Sequence, residues 1–232
     1  MNKILIATDH SPAAQDAGRY ATKLADAFNA EVVLHTASPG NPEVVAEAIL
    51  EAAAAAHADL IVMGMKKGAP NAGSLLGSTV NALAPKTTLP LLVVPEGAAY
   101  EVPVKIVLAN DLVLKMAIQI PDFVLNLSAK FQSKLYVVRF LNNHTGELIE
   151  ILDYSDHFRR ITGVITPLYE LPATANEAVS LAGYVGDHHF SLVAMPYHPH
   201  SLAEKWLGDT PAGKMILQSH VPLLVLPDET WR

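Results

Sequence analysis

Three short segments occur twice in this chain, in the same order, and this repetition limits what the chain can fold into. The pairs are Lys3–Asp9 (KILIATD) with Lys105–Asp111 (KIVLAND), Ala58–Gly64 (ADLIVMG) with Phe190–Pro196 (FSLVAMP), and Pro90–Glu96 (PLLVVPE) with Pro222–Asp228 (PLLVLPD). The first pair is offset by 102 residues and the other two by 132, so the second copy is longer by 30 residues. That length suits one helix and one strand. We interpret the chain as two copies of one unit, the first lacking one α–β pair.

Continuous apolar segments, typical of buried strands, alternate with residues that favour helix starts along both copies. In the first copy the predicted strands are Ile4–Thr8, Glu31–Thr36, Leu60–Met63 and Leu91–Val94, and the predicted helices begin at Ser11-Pro12, at Asn41-Pro42 and at Ser78. In the second copy the predicted strands are Val104–Ala109, Lys134–Phe140, Val164–Leu171, Ser191–Met195 and Leu223–Leu226. The helices predicted there are one ending near Phe131, with Pro121 as a kink or as its true start, and those over Gly146–Ile161, Asn176–Tyr184 and Ala212–Gln218.

This alternation predicts an α/β protein built from two Rossmann-like, doubly wound parallel sheets. We expect a shortened first domain of four strands at residues 1–97 and a full second domain of five strands at residues 103–229. These two ranges are called the first half and the second half below.

The repeated segments resemble the universal stress protein family (UspA-like). Its members open with a strand ending in Asp and followed by Ser, here Asp9 and Ser11, and carry an Ala-Asp-Leu-Ile-Val-Met-Gly segment, here at 58–64. The resemblance implies a fold like that of the adenine nucleotide α-hydrolases, with a five-stranded sheet in the order 3-2-1-4-5. It also implies that two units pair through their last strands, so that a tandem chain forms an internal pseudo-dimer.

The same resemblance implies a nucleotide site in the first half, for ATP or AMP with Mg²⁺. Family members that bind ATP carry a loop of Gly, two residues, Gly, nine residues and Gly-Ser/Thr. Here Gly64, Gly77 and Ser78 match this loop, Lys67 replaces the second glycine, and Gly68 lies one residue late. By resemblance, Asp9 contacts ribose or a phosphate-bound cation, Ala7, Thr36 and Met63 line the adenine and ribose pocket, and Thr79 joins Gly77 and Ser78 at the phosphates. The alternative is that the loop serves helix initiation and packing, with Lys67 filling the cavity.

The second half departs further from that loop. The residues at the positions of Gly64, Lys67 and Gly77 are Pro196, Pro199 and Asp209. Prolines lack the backbone N–H that binds phosphate, and a carboxylate repels it. We therefore expect no nucleotide in the second half.

Composition excludes several other classes of function. The net charge of −7 disfavours nucleic-acid binding, and the absence of cysteine excludes disulfides and thiolate chemistry. The sequence contains no run of 18 apolar residues, the length that a membrane-spanning helix requires. Because the chain also opens on a strand-like segment, we expect a cytoplasmic protein.

Four histidines raise the question of a metal site. His188, His189, His198 and His200 invite that interpretation, but histidines in loops at strand ends are the simpler explanation, and their role stays open.

Three functions remain after these exclusions. The first is a stress-response binding or signalling module, with nucleotide in the first half. The second is a protein-interaction module without nucleotide, whose protein partners the sequence does not identify. A slow ATPase ranks last because no positioned base or arginine is evident, so we expect no enzyme. The exposed edge of the second strand is a further candidate for association, as a homodimer.

Overall fold

The computed structural model describes residues 1–38, 40–66, 78–110, 120–141, 168–172, 177–197 and 220–227. In the first half the elements are β1 (Lys3–Thr8), α1 (Pro12–Phe28), β2 (Glu31–Thr36), α2 (Pro42–Ala56), β3 (Leu60–Met65), α3 (Ser78–Leu83) and β4 (Leu91–Pro95). In the second half they are β5 (Lys105–Asn110), α4 (Asp122–Phe131), β6 (Lys134–Leu141), β7 (Leu168–Pro172), α5 (Glu177–His188), β8 (Leu192–Tyr197) and β9 (Leu223–Pro227).

The helix starts in the first half follow the predicted capping signals. Ser11 caps α1 by accepting a hydrogen bond from the Ala14 amide, and Asn41 caps α2 by accepting one from the Glu43 amide. Pro12 and Pro42 follow as the first helical residues, where a missing N–H costs nothing. Both helices end at residues in the left-handed conformation, Asn29 and His57.

In the second half the structure settles or extends several predicted bounds. Pro121 is the N-cap of α4, so it marks a true start rather than a kink in the described helix. Helix α5 continues past Tyr184 to His188, and β7 ends at Pro172. The predicted helices over 146–161 and 212–218, and the first residues of the strand predicted from Val164, lie outside the described residues.

The nine strands within the described residues form one sheet in the order β2-β1-β3-β4-β9-β8-β5-β6-β7. Every neighbouring pair is parallel except β4 and β9, which are antiparallel. The predicted doubly wound α/β fold is confirmed, although the strands of both halves share a single continuous sheet instead of forming two. The order is four strands, β2-β1-β3-β4, joined to five, β9-β8-β5-β6-β7.

The register at the junction relates equivalent residues of the two copies. Leu92 pairs with Leu224, its counterpart at the offset of 132, and Leu91 and Val93 pair with Val225 and Leu223 on either side. If each residue is replaced by its counterpart in the other copy, the same set of residue pairs results.

Apolar side chains pack on both faces of the sheet, and each core contains residues of both halves. On the α1 face, Tyr20 and Leu24 pack in one core cluster with Val124 and Leu127 of α4. On the other face, Ile49 of α2 belongs to a cluster that includes Val185 of α5. The last residues of α1 and α4, Phe28 and Phe131, meet edge to face with ring centroids 5.6 Å apart.

Candidate ligand site at the carboxyl ends of β1 and β3

The strand order creates a crevice between β1 and β3. Strand β1 leads through α1 to β2 on one side, whereas β3 leads through α3 to β4 on the other. Ligands of open α/β sheets bind at such a switch point, beyond the carboxyl ends of the strands. Asp9 follows β1 and Lys66 follows β3, and their side chains form an ion pair with Lys66 Nζ 2.7 Å from Asp9 Oδ2. A carboxylate and an ammonium group are therefore paired with each other at the expected ligand position.

The carboxylate of Asp9 is ionised at neutral pH. Partial burial would raise its pKa, but hydrogen bonds from the Lys66 side chain and from Ser11 outweigh burial and lower the pKa to about 2. The Ser11 amide lies 3.0 Å from Asp9 Oδ1. The side chains of Asp9 and Lys66 are 41% and 55% exposed, so both remain accessible to a ligand.

A tight turn places Asp9 and Ser11 in this arrangement. His10 adopts the left-handed conformation at φ 61°, and its amide donates to Thr8 Oγ1 at 3.1 Å. The Gln15 side chain donates to the His10 carbonyl at 3.1 Å. These contacts hold the backbone between β1 and α1 so that Ser11 caps the helix while Asp9 faces β3.

Gly64 has a packing role against the first turn of α1. A Cβ built on Gly64 would lie 2.3 Å from the backbone C and O of Ala13 and 2.6 Å from the Ala14 amide nitrogen. Only glycine allows the first turn of α1 to pack this closely on the end of β3. The first glycine of the loop is thus explained by helix packing, whether or not a ligand binds.

Three of the other predicted site residues lie towards the carboxyl ends of β1, β2 and β3, and two begin α3. Ala7 and Met63 are register partners on β1 and β3, both buried in the core on the α2 face. Thr36 is exposed at the end of β2 and pairs with Thr8. Ser78, exposed, and Thr79, half-buried, begin α3. Lys67, Gly68 and Gly77 lie outside the described residues.

Two functional or supporting residues lie outside the predicted set of site residues. Lys66 is the ion-pair partner of Asp9, and its position directly after β3 was the available signal. Asp16 is 9% exposed on the inner side of α1, where it accepts a hydrogen bond from the Gly97 amide at 2.7 Å and pairs with Arg19. A carboxylate among the apolar residues Ala13, Ala17 and Tyr20 was the signal for Asp16.

His188 has local structural contacts. The Nδ1 atom of His188 lies 3.0 Å from the Tyr184 carbonyl, and the His188 carbonyl accepts a hydrogen bond from Lys105 Nζ at 2.6 Å. Within the described ranges, no group of three or more His, Cys, Asp or Glu residues is placed to hold a metal ion. His198 and His200 lie outside those ranges. Nor does any described helix have the length and hydropathy to cross a membrane.

Comparison with known proteins points to one family. Residues 42–95 match the model of the Universal stress protein family. This segment runs from α2 to β4 and includes Gly64, Lys66 and Ser78, so the match to that family covers this part of the chain. No curated protein sequence matches the chain.

Solved structures show the same fold over almost the whole chain. A universal stress protein from Archaeoglobus fulgidus DSM 4304 has a TM-score of 0.67 at 12% identity, covering 97% of this chain and 98% of that one. A putative universal stress protein from Pseudomonas aeruginosa UCBPP-PA14 has a TM-score of 0.59 at 14% identity, with coverages of 99% and 95%. At these identities the likeness establishes the fold alone.

Proposed function

We propose that this chain is a tandem universal stress protein, a binding or signalling module without catalytic activity, whose first half binds ATP or AMP with Mg²⁺. The observation that carries the nucleotide proposal is the Asp9–Lys66 pair across the switch point between β1 and β3. Asp9 supplies an ionised carboxylate for a phosphate-bound cation or a ribose hydroxyl. Lys66 supplies a positive charge for a phosphate.

The junction between the halves supports the tandem arrangement. Leu92 pairs with its own counterpart Leu224, and Phe28 contacts Phe131, which ends the corresponding helix. A contact between equivalent residues is the signature of a two-fold axis. Two such contacts, one in the sheet and one between helices, support an internal pseudo-dimer formed by the two halves.

Nucleotide binding is proposed for the first half alone. At the register position of Gly64, the second half carries Pro196, which is buried and pairs with Leu226 on β9. A proline there offers no backbone N–H to a phosphate. The sequence adds Asp209 at the position of Gly77, although that residue lies outside the described ranges.

A protein-interaction module without nucleotide is the second candidate, and one observation favours it. Lys66 already neutralises Asp9, and the space next to Gly64 is filled by the backbone of Ala13 and Ala14. In this alternative the carboxyl edge is a closed structural feature, and function lies on the outer surface. Slow ATP hydrolysis stays third.

Calorimetric titration of nucleotide-free protein with ATP, ADP and AMP, each with Mg²⁺, distinguishes the two leading candidates. We expect micromolar binding that Asp9→Ala weakens about tenfold or more, since one contact between charged groups is lost. Gly77→Asp should abolish binding, because a carboxylate would face the phosphates.

The matched control is Asp111→Ala, which changes the corresponding aspartate of the second half and should leave affinity unchanged. The absence of heat with every nucleotide would refute nucleotide binding and favour the interaction module. Phosphate release during the same incubation would contradict the absence of catalysis.

A further inference from the structure

Strand β2 has three consecutive apolar residues at its centre, Val32–Leu34, yet it lies at an outer edge of the described sheet. Within the described residues it pairs with β1 and with no other strand. Its counterpart in the second half, β6, lies between β5 and β7. Val32 is 39% exposed and Leu34 is 61% exposed. The composition of β2 therefore suits a strand whose free edge is covered by another strand.

The backbone of β2 presents hydrogen-bonding groups at this edge. The Glu31 amide donates to the Asn2 carbonyl and the Ala37 amide donates to the Thr8 carbonyl, both at 2.8 Å. Because strand residues alternate in direction, the N–H and C=O groups of Val32, Leu34 and Thr36 point away from β1. Their side chains share the α1 face of the sheet, since Val32 and Leu34 pair with Ile4 and Ile6. Helix α1 lies mainly over β1, β3 and β4, so it leaves this strip accessible.

We propose that β2 pairs in antiparallel fashion with β2 of a second copy of this chain, about a two-fold axis at Leu34. In that register Leu34 faces Leu34, Val32 faces Thr36, Val33 faces His35, and Glu31 faces Ala37. No like charges oppose each other, and Glu31, the one charged residue of β2, is already paired with Lys3 at 3.2 Å. The apolar strips of the two copies then form one continuous surface. This self-complementarity favours a second copy over an unrelated strand as the occupant.

The opposite edge of the described sheet carries the features that prevent such pairing. Strand β7 reads LYELP, with Glu170 at its centre and Pro172 at its end. An antiparallel pair of β7 strands centred on Glu170 would place two carboxylates opposite each other. Charged residues and prolines are the usual means by which edge strands avoid association. The two edges therefore differ: β2 has no proline, and its one charged residue, Glu31, lies at the start of the strand instead of at its centre.

The absence of cysteine makes a register-specific test available. Directly opposed antiparallel residues in a hydrogen-bonded pair lie about 5.5 Å apart at Cα, within the range of a disulfide. Leu34→Cys should therefore form an intermolecular disulfide under a mild oxidant. Val32→Cys should not, since the two copies of residue 32 lie about 14 Å apart along the strands. Mixing Val32→Cys with Thr36→Cys should restore cross-linking.

Sedimentation analysis of the full chain over a range of concentrations completes the test. We expect a dimer whose dissociation constant Leu34→Lys raises at least about tenfold, because two lysines would then oppose each other. Val104→Lys is the matched control: Val104 is 52% exposed but lies before β5, away from β2, and dimerisation should be unchanged. A monomer at high concentration would overturn the proposal, as would a dimer insensitive to Leu34→Lys or cross-linked equally through residues 32 and 34. None of these outcomes depends on nucleotide binding.

Discussion

Gly64 and Pro196 occupy the same place in the two halves of the sheet. Gly64 lies near the end of β3 and pairs with Val94, and Pro196 lies near the end of β8 and pairs with Leu226. In the first half this position lets α1 approach within contact of the strand backbone. In the second half a buried proline ring fills the corresponding position.

The amino ends of the strands differ less than the carboxyl ends. Asp59, before β3, accepts a hydrogen bond from the Lys3 amide at 3.1 Å. Ser191, its counterpart before β8, accepts one from the Lys105 amide at 3.0 Å. Two different residue types thus perform the same task at the start of β1 and β5. The framework therefore repeats, while the carboxyl edge, where ligands bind to this fold, has separate chemistry in each half.

Gly64→Ala should cause the largest loss of stability among these variants. The new methyl group would meet the Ala13 backbone at 2.3 Å, and a helix backbone cannot rotate away as a side chain can. We expect the free energy of unfolding to fall by about 2–3 kcal/mol. Urea denaturation measures it. Pro196→Ala is the matched control in the second half and should cost about 1 kcal/mol, through lost apolar burial. Equal losses at the two positions would contradict the asymmetry.

A second test concerns Asp16, which ties α1 to the turn after β4. Its carboxylate is buried and accepts the Gly97 hydrogen bond at 2.7 Å. Asp16→Ala should lower the free energy of unfolding by about 2 kcal/mol, because a partly buried N–H loses its acceptor. Faster hydrogen exchange of the Gly97 amide should accompany the loss. Arg19→Ala is the control: the Arg19 side chain is 69% exposed, so its removal should cost far less. If both variants were equally destabilised, the ion pair would be the main contribution.

The sequence predicted the local features of this fold better than its long-range contacts. Ser11 with Pro12 and Asn41 with Pro42 marked helix starts correctly, because capping depends on residues within one turn. Asp16 reaches Gly97, 81 residues away, and Lys66 reaches Asp9, 57 residues away. Such pairs depend on which strands become neighbours. Gly64 was assigned to a phosphate loop for the same reason, since its contact with α1 is tertiary.

The smallest expected effect is that of Asp9→Asn, and pH decides whether the Asp9–Lys66 pair is responsible. The pKa of Asp9 is lowered from 3.8 to about 2 in the folded protein. A lowered folded pKa stabilises the protein above the unfolded pKa, and this stabilisation is lost as pH falls towards the folded value. The difference in the free energy of unfolding between wild type and Asp9→Asn should therefore be constant from neutral pH to about 4. It should vanish as the pH falls from there to about 2. Because the Asp9 side chain is 41% exposed, we expect less than about 1 kcal/mol.

Urea denaturation at a series of pH values measures that difference, and a titration of the Asp9 carboxyl by NMR locates its pKa. Lys66→Met should raise the pKa of Asp9 towards its ordinary value, since the partner that lowers it is gone. Asp111→Asn changes the corresponding aspartate of the second half, where His198 stands at the sequence position of Lys66. If the pKa of Asp9 were unchanged in Lys66→Met, the turn at Ser11 alone would hold the carboxylate ionised. The case for a charged pair at the ligand position of the first half would then fail, and the two carboxyl edges would differ in packing but not in electrostatics.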